Sequence, residues 1–257
     1  MRVVIKIGTS TLTYRSGCVN IRRIEALCRA ISDMKNAGHE VVIVSSGAIG
    51  MGVGKLNLKE RPADIAGKQA AAAVGQCELM YVYDTELSRY NHTVAQLLLT
   101  APDFDCKERR ANLVGTMTRL IDLGVIPIVN ENDTIATEEI VFGDNDTLAA
   151  RVAVSVEADL LVLLSDIDGL FTADPRSNSD AVLIEEVKEI TDEIMALGGG
   201  AGSALGTGGM ETKLRAARIV TEAGGDMIIM NGAYPEGLYS ILDGKAIGTR
   251  FYGKGKA

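Results

Sequence analysis

The sequence predicts an α/β fold: an open, mainly parallel sheet with helices crossing over it. Two observations predict it. First, six short runs rich in Val, Ile and Leu recur along the chain: VVIKIG (3–8), EVVIVSSGA (40–48), HTVAQLLLT (92–100), VIPIVNEND (125–133), DLLVLLSDIDGL (159–170) and DMIIMNG (226–232). Runs that are apolar almost throughout read as strands buried on both faces, the mark of a parallel sheet. Second, helical patterns separate them, and alternation of strand with helix gives right-handed crossovers that cover the sheet.

The helices follow in order. Over 20–37 a stripe of Ile21, Ile24, Leu27, Ile31 and Met34 predicts an amphipathic helix, with Asn20 as its N-cap and Gly38 just past its end. Further helices are expected over 62–89, 107–123, 145–157 and 210–223, the first of them weakened by Gly75. Turn residues between two short apolar runs make 169–187 a hairpin or flap, and 237–252 is expected to return as one or two antiparallel strands.

Composition narrows the function. With 257 residues and 47% apolar content the chain can bury a substantial core. A net charge of −8 argues against a general nucleic-acid binder, which needs a basic face. Cys18, Cys28, Cys77 and Cys106 form no CxxC pair, and with only His39 and His92 beside them no structural zinc site is expected. The start, MRVVIKIGTS, does not read as a signal peptide, and no apolar run approaches the roughly 20 residues of a membrane span. A cytoplasmic protein without membrane contact is expected, since unpaired cysteines suit a reducing compartment.

Ligands of open α/β sheets bind beyond the carboxyl ends of the strands, so the polar residues there are the candidates. Lys6 interrupts an otherwise buried run, and a buried ammonium needs a partner. It could snorkel out or pair with a structural carboxylate; alternatively it supplies a fixed charge for a phosphate, with Gly8 allowing close approach of a ligand. Ser45-Ser46-Gly47-Ala48 is either a flexible turn or a backbone cradle for an anion. Asp133 is followed by Asp144, Asn145 and Asp146 at the start of a helix. One of these could be an N-cap, but a cap accounts for one residue rather than four. Groups that accept hydrogen bonds suit an ammonium on the substrate, and one Asp could instead orient catalytic lysines. LGTGGMETKLRAARIV (205–220) lacks the Walker A pattern, yet its glycines precede a helix whose free N–H groups would face an anion, with Lys213 on the first turn. A Gly-rich linker before an ordinary helix is the alternative.

Taken together VVIKIGTS, IVSSGAIGMG, IVNENDT, FGDNDTLAA, LLSDIDGLFTADPR and GTGGMETKL, in this order, resemble the amino acid kinase family along essentially the whole chain. The pair NEND and GDND resembles the branch whose acceptor is L-glutamate. The resemblance implies a three-layer αβα sandwich with a mainly parallel central sheet and a single kinase domain over 1–257, with the amino acid bound by about 1–155 and ATP by about 156–257. It implies transfer of a phosphoryl group from ATP to the γ-carboxylate of L-glutamate, giving L-glutamyl 5-phosphate, the entry step of proline synthesis. Carried over, Ser46, Gly47, Asp133, Asp144 and Asn145 would bind the acceptor. Lys6, Gly8, Ser165, Asp166, Phe171, Asp174 and Arg176 would meet the nucleotide, with Thr207, Gly208, Gly209, Met210, Glu211, Thr212 and Lys213 around its phosphates. Lys6, Lys213 and Asp146 would be catalytic, the lysines neutralising charge and Asp146 holding them. Mg2+ would ride on ATP without direct protein ligands.

Proline as a feedback inhibitor, a glutamyl-phosphate reductase as a partner and a homodimer or homotetramer are further expectations of the resemblance. The Ala-rich helix at 62–89, with Tyr81 and Tyr83 facing out, is a candidate for the contact between copies. Many members carry an additional PUA domain; here the chain stops at Ala257, where the kinase domain is expected to end. Two alternatives stay open: a kinase of the same fold acting on N-acetylglutamate, aspartate or another small acceptor, and a non-catalytic amino acid or nucleotide sensor.

Overall fold

The computed structural model describes residues 1–14, 16–136, 145–199, 209–245 and 247–255. The first half runs β1 (Arg2–Ile7), α1 (Thr9–Leu12), α2 (Ile21–Asn36), β2 (Glu40–Ser45), α3 (Ala48–Lys55), α4 (Ile65–Ser88), β3 (Val94–Leu99), α5 (Ala101–Asp105), α6 (Lys107–Asp122) and β4 (Ile126–Glu131). After α7 (Asn145–Ser155) come β5 (Leu160–Ser165), β6 (Leu170–Phe171), β7 (Leu183–Ile184), β8 (Glu186–Val187), α8 (Asp192–Ala196), α9 (Met210–Glu222), β9 (Asp226–Asn231), α10 (Gly237–Leu242) and β10 (Thr249–Phe251).

One sheet carries eight strands in the order β3-β4-β2-β1-β5-β9-β10-β8. All neighbours are parallel except β10 against β9. Side chains alternate between its faces. Val4, Val42, Val44 and Leu163 pack toward Leu148 and Val152 of α7 and Leu214 of α9. Val3, Ile5, Ile43 and Val162 pack toward Leu27 and Ile31 of α2 and Leu79 of α4. Two apolar layers on one sheet account for the continuous Val/Ile/Leu runs: both strand faces are buried. The result is the three-layer αβα sandwich.

β1 lies between β2 and β5, and the chain switches sides there. The register aligns Ile7 with Ser45 and with Leu164, and Ser165 with Asn231. The carboxyl ends of these strands therefore open on one rim, at the point where an open sheet offers a crevice.

Local signals behave as their chemistry dictates. The Asn20 side chain accepts from the Arg23 backbone N–H, capping α2. Gly38 follows the helix at φ +89°. Ile21, however, is 63% exposed, so the buried stripe begins at Ile24. Gly75 lies within α4 without breaking it. A Cβ there would stand 1.8 Å from the Ala48 carbonyl oxygen, and one on Gly52 would stand 1.8 Å from that of Ala71. The two glycines let α3 and α4 pack backbone to backbone. Tyr83 is fully buried rather than outward, its hydroxyl 3.0 Å from Ser45 Oγ, whereas Tyr81 is exposed. The flap forms as a β6–β7 hairpin. Over 237–252 the chain first makes α10, and only β10 is an antiparallel strand. Leu238 and Ile241 of α10 join the second apolar layer, so tertiary burial decides for helix there.

Candidate active site

At the rim, Asp146 in the first turn of α7 is 2% exposed and bridges two lysines. Lys6 Nζ, from β1, lies 2.7 Å from its Oδ1, and Lys213 Nζ, from the first turn of α9, lies 3.0 Å from its Oδ2. Thr212 Oγ1 donates to the same Oδ2 at 2.9 Å. Burial alone would push the Asp146 carboxyl up; Lys6 and then Lys213 outweigh it and hold the carboxyl well below the usual range. Two ammonium groups and one carboxylate thus meet at a single point of the rim. Two ammonium groups held together in this way suit an anion at the rim.

Each member is placed by its element. Lys6 sits where β1 leaves the sheet, and Gly8 caps α1 one residue beyond Ile7; a Cβ on Gly8 would meet the Leu164 carbonyl oxygen at 3.3 Å. Lys213 is 5% exposed and anchored by Leu214 in the core. Gly209, Met210 and Glu211 form the start of α9, Gly209 as its N-cap without a side chain to occupy the free N–H groups. Glu211 itself pairs outward with Arg215 at 3.0 Å.

Beside this cluster lies a chain of amides. Asn145 Nδ2 donates to Ser46 Oγ at 2.7 Å and to Asn130 Oδ1 at 3.4 Å. Asn130 Nδ2 donates to Gln76 Oε1 at 2.9 Å. Gly47 adopts φ +104° and starts α3, a left-handed turn that a side chain would strain. Asp133 is 7% exposed; burial raises its carboxyl to about 6 against a lowering pull from Arg61. Buried Asp133 Oδ1 and Asn145 Oδ1 have no hydrogen-bond partner among the described residues. Buried acceptors left open in this way are costly unless something fills them.

On the other side of β1, Ser165 Oγ donates to Asp166 Oδ1 at 3.3 Å, and Arg176 pairs with Asp166 Oδ2 at 3.2 Å. Asp174 Oδ1 accepts from the Arg176 backbone N–H at 2.9 Å, which fixes the turn that brings the guanidinium back to Asp166. Phe171, half-buried, belongs to the hairpin strand β6.

The structure therefore gathers Lys6, Asp146 and Lys213 in one cluster and Ser46 and Asn145 in the next. Ser165, Asp166 and Arg176 form a third group along the rim. Asp144, Thr207 and Gly208 lie outside the described residues. Sequence reasoning missed Gln76, hidden in an Ala-rich helix without a polar motif, and Arg61, in the connection before α4. Asn130 entered it only as part of the run VIPIVNEND.

No cluster of three His, Cys, Asp or Glu able to hold a metal occurs among the described residues. The buried carboxylate at the centre, Asp146, is already engaged by two ammonium groups.

A parallel sheet whose carboxyl rim carries a carboxylate clamped between lysines, a glycine-capped helix and open acceptors defines a phosphoryl-handling class of protein. The chain belongs to the amino acid kinase family, whose family model matches residues 1–231. It is 54% identical over 257 residues to a protein named glutamate 5-kinase from Clostridium perfringens, covering 98% of this chain and 96% of that one. It is 55% identical over 256 residues to one of the same name from Carboxydothermus hydrogenoformans, covering 99% of this chain and 68% of that longer one. The fold also matches a UMP kinase from Bacillus anthracis (TM-score 0.66, 17% identity, 100% of this chain and 97% of that one). A carbamate kinase from Giardia lamblia bound to AMP-PNP matches with TM-score 0.68 and 21% identity over 98% of each chain.

Proposed function

We propose that the chain transfers the γ-phosphoryl group of ATP to the γ-carboxylate of L-glutamate, giving L-glutamyl 5-phosphate and ADP, the first step of proline synthesis. The observation that carries this reading is the Lys6–Asp146–Lys213 cluster with the open acceptor Asn145 Oδ1 on the residue beside Asp146. The names of the relatives at 54 and 55% identity support the same acceptor.

The γ-carboxylate is ionised at neutral pH and is already a nucleophile, so the reaction needs no general base. What it needs is alignment and neutralisation of charge. Lys6 and Lys213 bring two ammonium groups to the phosphoryl in flight, and Asp146 fixes their positions so that little reorganisation is left for the transition state. Thr212 and the first turn of α9 receive the phosphates, a role that the family resemblance extends to Thr207 and Gly208. Ser165, Asp166, Phe171, Asp174 and Arg176 take the nucleoside. Ser46, Gly47, Asp133, Asp144 and Asn145 hold the amino acid. The acceptor half is then about 1–155 and the nucleotide half about 156–257. Mg2+ would be carried by ATP and supply charge neutralisation there, without direct protein ligands; the engagement of Asp146 by the two lysines supports this reading.

Proline as an end-product inhibitor, a glutamyl-phosphate reductase receiving the labile product and a homodimer or homotetramer belong to the same reading. Four free cysteines, and no helix among the described residues long and apolar enough to cross a membrane, support a cytoplasmic site of action.

The test is ADP release from Mg-ATP by the purified chain with L-glutamate, N-acetyl-L-glutamate, L-aspartate or UMP, with hydroxylamine present to trap an acyl phosphate. Glutamate-dependent turnover with a hydroxamate product is expected. Turnover with another acceptor alone would overturn the assignment of the acceptor. ATP binding without turnover on any of them would replace the enzyme by a sensor.

A further inference from the structure

Three buried side-chain atoms, on residues assigned to the acceptor or joined to them by hydrogen bonds, have no hydrogen-bond partner among the described residues. Two are acceptors, Asp133 Oδ1 and Asn145 Oδ1; the third is a donor, Gln76 Nε2. Gln76 is 8% exposed, one residue after the glycine that brings α4 against α3. Two acceptors and one donor are the complement of an α-amino acid head group, an ammonium beside a carboxylate.

The hydrogen-bond chain links their polarities. Ser46, Asn145, Asn130 and Gln76 are joined in series. An amide that presents its oxygen to one neighbour presents its NH2 on the other side. If Asn145 Oδ1 faces an ammonium, its NH2 must face Asn130 Oδ1. Asn130 then offers its NH2 to Gln76, and Gln76 is left with a free N–H pair. The polarity that lets Asn145 accept from an ammonium is thus the one that makes Gln76 a donor.

Position along the chain assigns the two ends of the substrate. Asn145 adjoins Asp146, where the phosphoryl group is transferred, and Gln76 is the member furthest from it in the series. The reacting carboxylate belongs at the Asp146 end, which leaves the other carboxylate for Gln76.

Resting on the function proposed above, we infer that Gln76 is a specificity-determining residue of the acceptor pocket. Its Nε2 donates to the α-carboxylate of the bound amino acid. Its Oε1, through Asn130, fixes the orientation in which Asn145 accepts from the α-ammonium.

The test compares L-glutamate with its α-amide, L-isoglutamine, in the hydroxamate assay on the full chain and on two variants. Gln76→Glu keeps the acceptor toward Asn130 but replaces the donor by a charge. A lost hydrogen bond to a charged group amounts to about 10- to 100-fold, so the KM for L-glutamate should rise by that order while the KM for ATP stays unchanged. The ratio of kcat/KM for L-glutamate over L-isoglutamine should fall by the same order, because an amide can donate to the new carboxylate and a carboxylate cannot. Gln76→Met, close in length and uncharged, gives the same readout if the buried charge of the first variant prevents folding; it too should lower the ratio. The ratio does not depend on the fraction of protein that is folded, and a merely structural role would lower both substrates alike. An unchanged ratio in the variant that folds overturns the inference while leaving the proposed function standing. Absence of glutamate turnover in the unaltered chain would overturn that function and this inference together.

Discussion

Lys6 Nζ and Lys213 Nζ stand 2.7 and 3.0 Å from the two oxygens of one buried carboxylate, Asp146, although the lysines lie at opposite ends of the sequence. The carboxylate sets the spacing of the two charges. Without it they would repel each other in a poorly solvated site.

Asp146→Asn should therefore affect both stability and rate. Removing the buried carboxylate that pairs with both ammonium groups should cost on the order of 3 kcal/mol of stability. Removing preorganised charge should lower kcat by about 100-fold or more. Thermal unfolding and steady-state kinetics on the same preparation check both; a fully active, equally stable variant contradicts the bridging role.

Lys213→Ala should lower kcat strongly with little change in the KM for L-glutamate, because its charge acts on the group in transfer. The loss expected is about 100-fold or more in kcat. A variant that changed only the glutamate KM would move Lys213 to the acceptor pocket.

Asp133 gives the pH dependence. Burial raises its carboxyl from 3.8 to about 6, with Arg61 opposing. The native state then holds a proton that the unfolded chain has lost, so stability contributed by this group falls as pH rises from 3.8 to about 6. Binding runs the other way. The ionised form attracts an ammonium, so kcat/KM for L-glutamate should increase up to about pH 6 and level off above it. Asp133→Asn should remove the inflection and raise the glutamate KM while leaving the ATP KM nearly unchanged. Persistence of the inflection in the variant would assign it to another group.

Gly75→Ala should destabilise the chain, because the added Cβ would stand 1.8 Å from the Ala48 carbonyl oxygen in an interface of two backbones. Overpacking of this kind costs about 1–3 kcal/mol. Separation of α3 from α4 also displaces Gln76 and the Gly47 turn, so the glutamate KM should rise with the fall in melting temperature. An unaltered melting temperature contradicts the close approach.

Arg176→Ala tests the nucleotide side. The guanidinium meets Asp166 at 3.2 Å in an exposed pair, so its removal should barely change stability. The KM for ATP should rise about tenfold, the value of one hydrogen bond to a charged group, with the glutamate KM unchanged.

What the sequence discloses follows from how local the physics is. Strands buried on both faces announce themselves as continuous apolar runs, so β1, β2, β4, β5 and β9 were legible, as was the three-layer architecture. The Asn20 cap and the turn at Gly38 depend on neighbours a few residues away and were legible too. Lys6 stood out because a charge inside VVIKIG requires a partner. Its partner, Asp146, lies 140 positions on, and the motif order rather than any local signal joined them. Three features depend on packing that no short window encodes. Gly75 reads as a helix weakness but serves a helix contact. Tyr83 reads as exposed but closes on Ser45. The α10 segment, with turn residues on both sides, reads as strand until Leu238 and Ile241 are seen to fill the sheet face. Gln76 was silent for the same reason: its meaning lies in Asn130, 54 residues away.

The most direct measurement follows the oxygen. The chain is supplied with Mg-ATP and L-glutamate carrying 18O in both γ-carboxylate oxygens, with hydroxylamine present. If the γ-carboxylate attacks the terminal phosphorus between Lys6 and Lys213, hydroxylamine then cleaves the acyl carbon–oxygen bond and phosphate leaves with one 18O. The 31P isotope shift should show one labelled oxygen in the phosphate for each hydroxamate formed. Phosphate without label would mean that water or another group takes the phosphoryl, which contradicts the account.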